Sequence, residues 1–113
     1  MSLSTHVLDA ARGRPARGVV VVLERRGPGG WEHVARATTD DDGRVRDWSP
    51  SGVDLPAAGA HRLTFDTGSW FAAQGLDAFY PEVAVTFTVT DPDEHHHVPL
   101  LLSPFAYSTY RGS

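Results

Sequence analysis

Apolar and polar positions alternate with a period of two through most of the chain. The clearest run is 83–90, VAVTFTVT, where Val83, Val85, Phe87 and Val89 face one way and Ala84, Thr86, Thr88 and Thr90 the other. That is the pattern of a half-buried strand, and the DPD that follows it is a turn. The β-branched run at 18–26, GVVVVLERR, predicts a second strand. GPGG closes it, and WEHVARATT at 31–39 reads as the returning strand. LSTHVLD near the start, HRLTFDT at 61–67 and HHHVPLLL at 95–102 extend the series. DDDGR at 40–44 reads as a turn in which Gly43 is free to take positive φ. Helical signal occurs once, with Ser69 as a cap for WFAAQGL and Gly75 as the stop. The stretch 47–60, with Pro50, Gly52, Pro56 and Gly59, reads as a long loop. Seven or eight short strands with turns between them and at most one helix predict an all-β sandwich.

Size and composition narrow the function classes. A chain of 113 residues fits one domain, 1–113. It has room for one core but not for a deep private cavity as well, so a site at a subunit boundary is the expectation. The formal charge is −4 and there is no basic stripe, which argues against nucleic acid as a partner. The short cluster Arg12, Arg14 and Arg17 sits among Gly13, Pro15 and Gly18 and reads as a solvated loop. No apolar stretch is long enough to span a membrane, and no leader pattern precedes LSTHVLD. Cysteine is absent, and small secreted domains usually depend on disulfides. A cytoplasmic protein is therefore expected.

Candidate chemistry concentrates in three places. In 95–102, Val98, Leu100 and Leu102 make the natural core face together with His96, which leaves His95, His97, Pro99 and Leu101 outside. An outer face that mixes imidazole with apolar residues suits a wall meeting a ligand or another subunit. Two plainer readings stand beside it: solvated strand histidines, and a two-histidine metal site at His95 and His97. In LSTHVLD, His6 and Leu8 share one face, with Thr5 and Val7 on the other. In YSTYRGS, Ser108 and Tyr110 face one way while Tyr107, Thr109 and Arg111 face the other. A tail that carries aromatics, hydroxyls and an arginine to its last residues needs a surface to hold it.

Four motifs in order resemble the 5-hydroxyisourate hydrolases, the transthyretin-related enzymes of urate breakdown. They are LSTHVLDAARGRPA, DDGR, FYPEVAVTF and HHHVPLLLSPFAYSTYRGS. The resemblance spans nearly the whole chain. It implies a transthyretin-like (prealbumin-like) sandwich of two four-stranded sheets with one short helix. It also implies a homotetramer, a dimer of dimers, with sites in the channel between dimers. His6, Arg44 and His97 occupy the positions of the family's catalytic residues. Ser108, Tyr110, Arg111, Gly112 and Ser113 occupy those of its substrate-binding tail. Neither metal nor cofactor is implied. One departure is visible: the family commonly reads His-Tyr-His where this chain has His95-His96-His97. Alternation turns His96 away from His97, so the departure bears on packing beneath the strand.

The implied reaction is hydrolytic opening of 5-hydroxyisourate to 2-oxo-4-hydroxy-4-carboxy-5-ureidoimidazoline, a cyclic amide hydrolysis. His6 and His97 would divide water activation and proton delivery, and Arg44 would hold the electron-rich substrate. Three other readings remain. One is a small-molecule carrier on the same fold, as transthyretin is; that carrier lacks the His/Arg/His set and the terminal YRGS, and this chain has both. Another is a metal-dependent hydrolase using His95 and His97. The third is an immunoglobulin-like interaction domain.

Overall fold

The computed structural model describes residues 2–49 and 58–113. Among the described residues, nine strands and one helix follow in chain order: β1 Ser2–Asp9, β2 Arg14–Pro15, β3 Val20–Gly27, β4 Gly30–Thr38, β5 Arg44–Val45, β6 Gly59–Phe65, α1 Thr67–Ala72, β7 Val83–Val89, β8 His95–Ser103 and β9 Ala106–Thr109. They form two sheets. One runs β2-β1-β8-β9, with β5 also paired to β1; the other runs β4-β3-β6-β7. The all-β sandwich with one short helix agrees with the sequence reading. Two strands of the first sheet, β2 and β5, are only two residues long. Arg44, read from sequence as the end of a turn, begins β5.

The pairing of β1 with β8 is parallel and runs from Ser2↔His95 to Asp9↔Leu102. All other strand pairs are antiparallel. The valines and leucines of the two inner faces meet between the sheets. Val7, Val98 and Leu100 come from one sheet, and Val21, Leu23 and Leu63 from the other, all buried. Burying one such side chain contributes about 1.5–3 kcal/mol over leaving it exposed. A slip of one residue would expose the whole inner set of β1 or β8 and bury His6 or His97 instead. The apolar residues therefore decide which way the histidines point.

Local details depart from the sequence reading where distant contacts take over. The helix starts at Thr67 with Asp66 as its cap residue, so Ser69 lies inside it, and Asp66 makes no side-chain cap bond. The start is fixed from outside: Asp66 N–H donates to Val20 O (2.9 Å) and Gly68 N–H to Pro81 O (3.0 Å). Gly75 stands at the predicted stop with φ +71°. The β3–β4 hairpin closes at Gly27↔Gly30, and the register shifts at Leu23/Glu24 where Val34 is extra on β4. Such a bulge breaks the alternation that sequence reading relies on. Of the expected loop 47–60, residues 50–57 lie outside the described residues. Ser49 bridges to Arg36, and Gly59 and Ala60 belong to β6.

Candidate active site

Directly paired residues in a sheet share a face, so the ladders line up rows of side chains across the outer face of the first sheet. Ser2 stands beside His95. Ser4 stands beside His97, and His97 is bridged in turn to Gly112. The next row is Arg44, His6 and Pro99. Beyond it come Leu8, Leu101 and Ser108. Three groups far apart in sequence, His6, Arg44 and His97, are thus brought to one face by β1, β5 and β8.

Arg44 and His97 are each held by a local device. Arg44 is presented by the 40–44 turn, in which Asp40 Oδ1 accepts from the N–H groups of Asp42 (2.9 Å) and Arg44 (3.0 Å). The Arg44 N–H holds the Asp40 carboxyl below its ordinary pKa, with Asp42 N–H and the charges of Arg46 and Arg44 acting the same way. Gly43 is required twice over. Its φ is +73°, and a Cβ there would lie 2.3 Å from Val7 O. The close approach lets Val7 N–H donate to Gly43 O at 2.7 Å, which clips the turn to β1 beside His6.

His97 is half-buried, with Nδ1 2.7 Å from Ser4 Oγ. That contact leaves Nε2 as the nitrogen available to water or substrate. Burial lowers the His97 pKa below its ordinary 6.5, and the charges of Arg44, His95 and His6 push it the same way. The imidazole is consequently neutral near pH 7 and ready to accept a proton. Among the described residues Arg44 makes no ion pair, which leaves its guanidinium free for an electron-rich ligand.

The tail closes over this row. Gly112 N–H donates to His97 O at 2.9 Å. A Cβ on Gly112 would fall 2.3 Å from His97 Cδ2 and 3.3 Å from Pro99 Cγ, so only glycine allows this approach. The same packing buries Pro99. Tyr110 is exposed, and Ser108 lies on the exposed strand β9. Arg111 is placed differently, with its guanidinium 3.5 Å from Glu94 Oε1. It also lines a cavity of about 260 Å³ between the sheets, with Val85, Phe87, His96 and Val98. His96 is buried there, on the far side of β8 from His6 and Arg44, with Nδ1 3.0 Å from Glu94 O. The regular strand and the inward His96 match the expectation from alternation.

Sequence reading missed Ser2 and Ser4. Alternation places both on the His6 face of β1, but nothing local says which residue of β8 they meet. Among the described residues no three His, Cys, Asp or Glu side chains cluster as metal ligands.

Residues 3–112 match the family model described as HIUase/Transthyretin family. The chain is 47% identical over 111 residues to the 5-hydroxyisourate hydrolase of Salmonella typhimurium, covering 98% of this chain and 80% of that one. It superposes on the structure of Klebsiella pneumoniae 5-hydroxyisourate hydrolase with a TM-score of 0.85, at 41% identity and with full coverage of both chains. Sea bream transthyretin in complex with thyroxine superposes with a TM-score of 0.87 at 30% identity, covering 99% of this chain and 95% of that one.

Proposed function

The chain belongs to the HIUase/transthyretin family, and from that membership we propose that it hydrolyses 5-hydroxyisourate to 2-oxo-4-hydroxy-4-carboxy-5-ureidoimidazoline, a step of urate breakdown. It is an enzyme, a hydrolase, like its named relatives. The observation that carries the reading is the row arrangement of His6, Arg44 and His97 on one outer sheet face with the tail glycine packed on His97.

His97 acts as general base. Its Nδ1 is occupied by Ser4 and its lowered pKa keeps it neutral, so Nε2 takes a proton from the attacking water. General base catalysis of this kind is worth about 10²–10⁴-fold. His6, one row away, delivers a proton to the leaving ring nitrogen. Arg44 beside it holds the substrate and balances charge developing on the carbonyl oxygen. Ser108, Tyr110, Gly112 and Ser113 position the substrate. Arg111, through Glu94, holds the tail against β8. No metal or cofactor takes part.

The wall is open in a single protomer. A second protomer covers it in a homotetramer, a dimer of dimers. The exposed aromatic residues support this assembly: Phe79 is 71% and Phe105 68% exposed, and Phe79, Tyr80 and Tyr107 form an edge-to-face chain. Apolar surface of this kind on a small domain marks contact with a partner. No described helix is long and apolar enough to cross a membrane, and the cysteine-free composition supports a cytoplasmic location.

The test is to make 5-hydroxyisourate freshly and follow its ultraviolet decay. Decay with protein no faster than the spontaneous rate defeats the proposal. His97→Ala should lose most of the activity while the assembly persists. A transthyretin-like carrier is the second reading, favoured by the likeness to the thyroxine complex. The higher identity to the hydrolases, 41–47%, weighs against it.

A further inference from the structure

Beyond Ser4, the partner of His97, lie two polar groups that the proposed reaction does not use, His95 and Ser2. Ser4 Oγ lies 2.7 Å from His97 Nδ1 and 2.9 Å from His95 Nε2. Ser2 Oγ in turn lies 2.5 Å from His95 Nδ1. The two imidazoles are nearly parallel, 17° apart, with centroids 6.5 Å from each other. Exposure rises along the row: His97 and Ser4 are half-buried, while His95 and Ser2 are exposed. The row therefore runs without a break from the proposed base to solvent.

Each hydroxyl has one hydrogen and two acceptor lone pairs, and each neutral imidazole has one N–H. A row that carries a proton from end to end has all its donors pointing the same way, and two arrangements do this. In the first, His97 Nδ1–H donates to Ser4, Ser4 O–H to His95 Nε2, and His95 Nδ1–H to Ser2. His97 Nε2 is then bare and basic. In the second every bond is reversed: Ser2 donates to His95 Nδ1, His95 Nε2–H to Ser4, and Ser4 to His97 Nδ1. His97 Nε2 now carries the hydrogen and is an acid. Passing from the first to the second takes one proton in at His97 Nε2 and releases one from the Ser2 end to solvent. The reverse passage balances it.

We propose that Ser4, His95 and Ser2 form a proton relay for His97, with Ser4 and His95 as positioning residues that set its tautomer and carry its proton to solvent. The idea rests on the hydrolase reading above. Its physical motive is charge. The groups that face His97 are Arg44 from β5, His6 from β1 and His95 from its own strand, all cationic or able to become so. A full imidazolium at His97 is disfavoured beside them. A relay lets His97 accept a proton at one nitrogen while giving one up at the other, so no net charge stays in the cleft.

The experiment compares Ser4→Ala, Ser4→Thr and His95→Ala in the full chain with 5-hydroxyisourate as substrate. Ser4→Ala and His95→Ala should lower kcat about tenfold or more with KM little changed, and Ser4→Thr, which keeps the hydroxyl, should retain most of kcat. Added imidazole, after subtraction of its own effect on the substrate, should restore kcat in His95→Ala. A purely structural role would not respond to it. Variants of Ser4 and His95 that keep the wild-type kcat and pH profile overturn the relay, and so does a loss in His95→Ala that imidazole leaves unchanged. Nitrogen NMR of the free protein decides the matter without any assay. Ser4→Ala should alter the tautomer signals of both His95 and His97 and uncouple their titrations, and unchanged signals at His95 refute the connection. If the wild-type protein fails to hydrolyse the substrate, the proposed activity falls, while the NMR result still judges the relay.

Discussion

His97 draws its character from position more than from type. Burial comes first and the neighbouring charges second, and both hold its pKa under 6.5. The acid limb of kcat/KM against pH should therefore lie below 6.5 in the wild-type protein. Arg44→Gln removes one depressing charge. It should move the limb upward, toward 6.5, and reduce kcat/KM by about 10²-fold or more through the lost oxyanion partner. A limb that stays in place would separate Arg44 from His97. At this scale the sequence was half readable. Alternation alone set His97 outside the core and His96 inside it, because two-residue periodicity is local. Ser4 was not readable as its partner, because the register of β1 against β8 joins residues 93 positions apart.

Elements show the same division. β7, β8 and the β3–β4 hairpin were legible from alternation and from GPGG. The start of α1 was not, since it is fixed by Val20 O and Pro81 O rather than by Ser69. β5 is only two residues long, too short to carry a period, and it exists because Gly43 lets the turn close on Val7. The tail was legible as unusual, but its contact with His97 was not. That contact makes a sharp prediction. Gly112→Ala puts a methyl group where His97 Cδ2 lies, so the ring or the tail must shift. Activity should fall about tenfold or more, since small misplacements at a reacting group are costly. Thermal stability should change by only about 0.5 kcal/mol, because the strain falls on a surface segment. Thermal melting and the decay assay on the same preparation check both halves.

At the scale of the whole molecule, light scattering should give four times the protomer mass, and a monomer would remove the second wall of the proposed site. Global stability should also depend on acid through His61. This residue is buried, stacked on Phe87 with centroids 5.8 Å apart, and its Nε2 has no hydrogen-bond partner among the described residues. Burial lowers its pKa below 6.5. The charges of Arg25 and His96 add to that, while the contact with Gly59 O opposes it. The unfolded chain thus binds this proton more readily than the folded one. Stability is fully present above 6.5 and is lost as pH falls through the folded value. His61→Phe should shrink the drop in melting temperature between about pH 7 and about pH 5, where each kcal/mol corresponds to about 4–8 °C for a domain of this size. An unchanged drop would place the acid sensitivity elsewhere.

The parallel pairing of β1 with β8 has a consequence for synthesis. On the ribosome β1 emerges first and waits, with one edge unmatched, for a strand made about ninety residues later. Until β8 clears the exit tunnel, His6 can have Arg44 beside it but not His97, and the imidazole row cannot assemble. Nascent chains are therefore inert however much of the second sheet has already formed, and chaperones that shield open strand edges have their longest task at the amino-terminal segment.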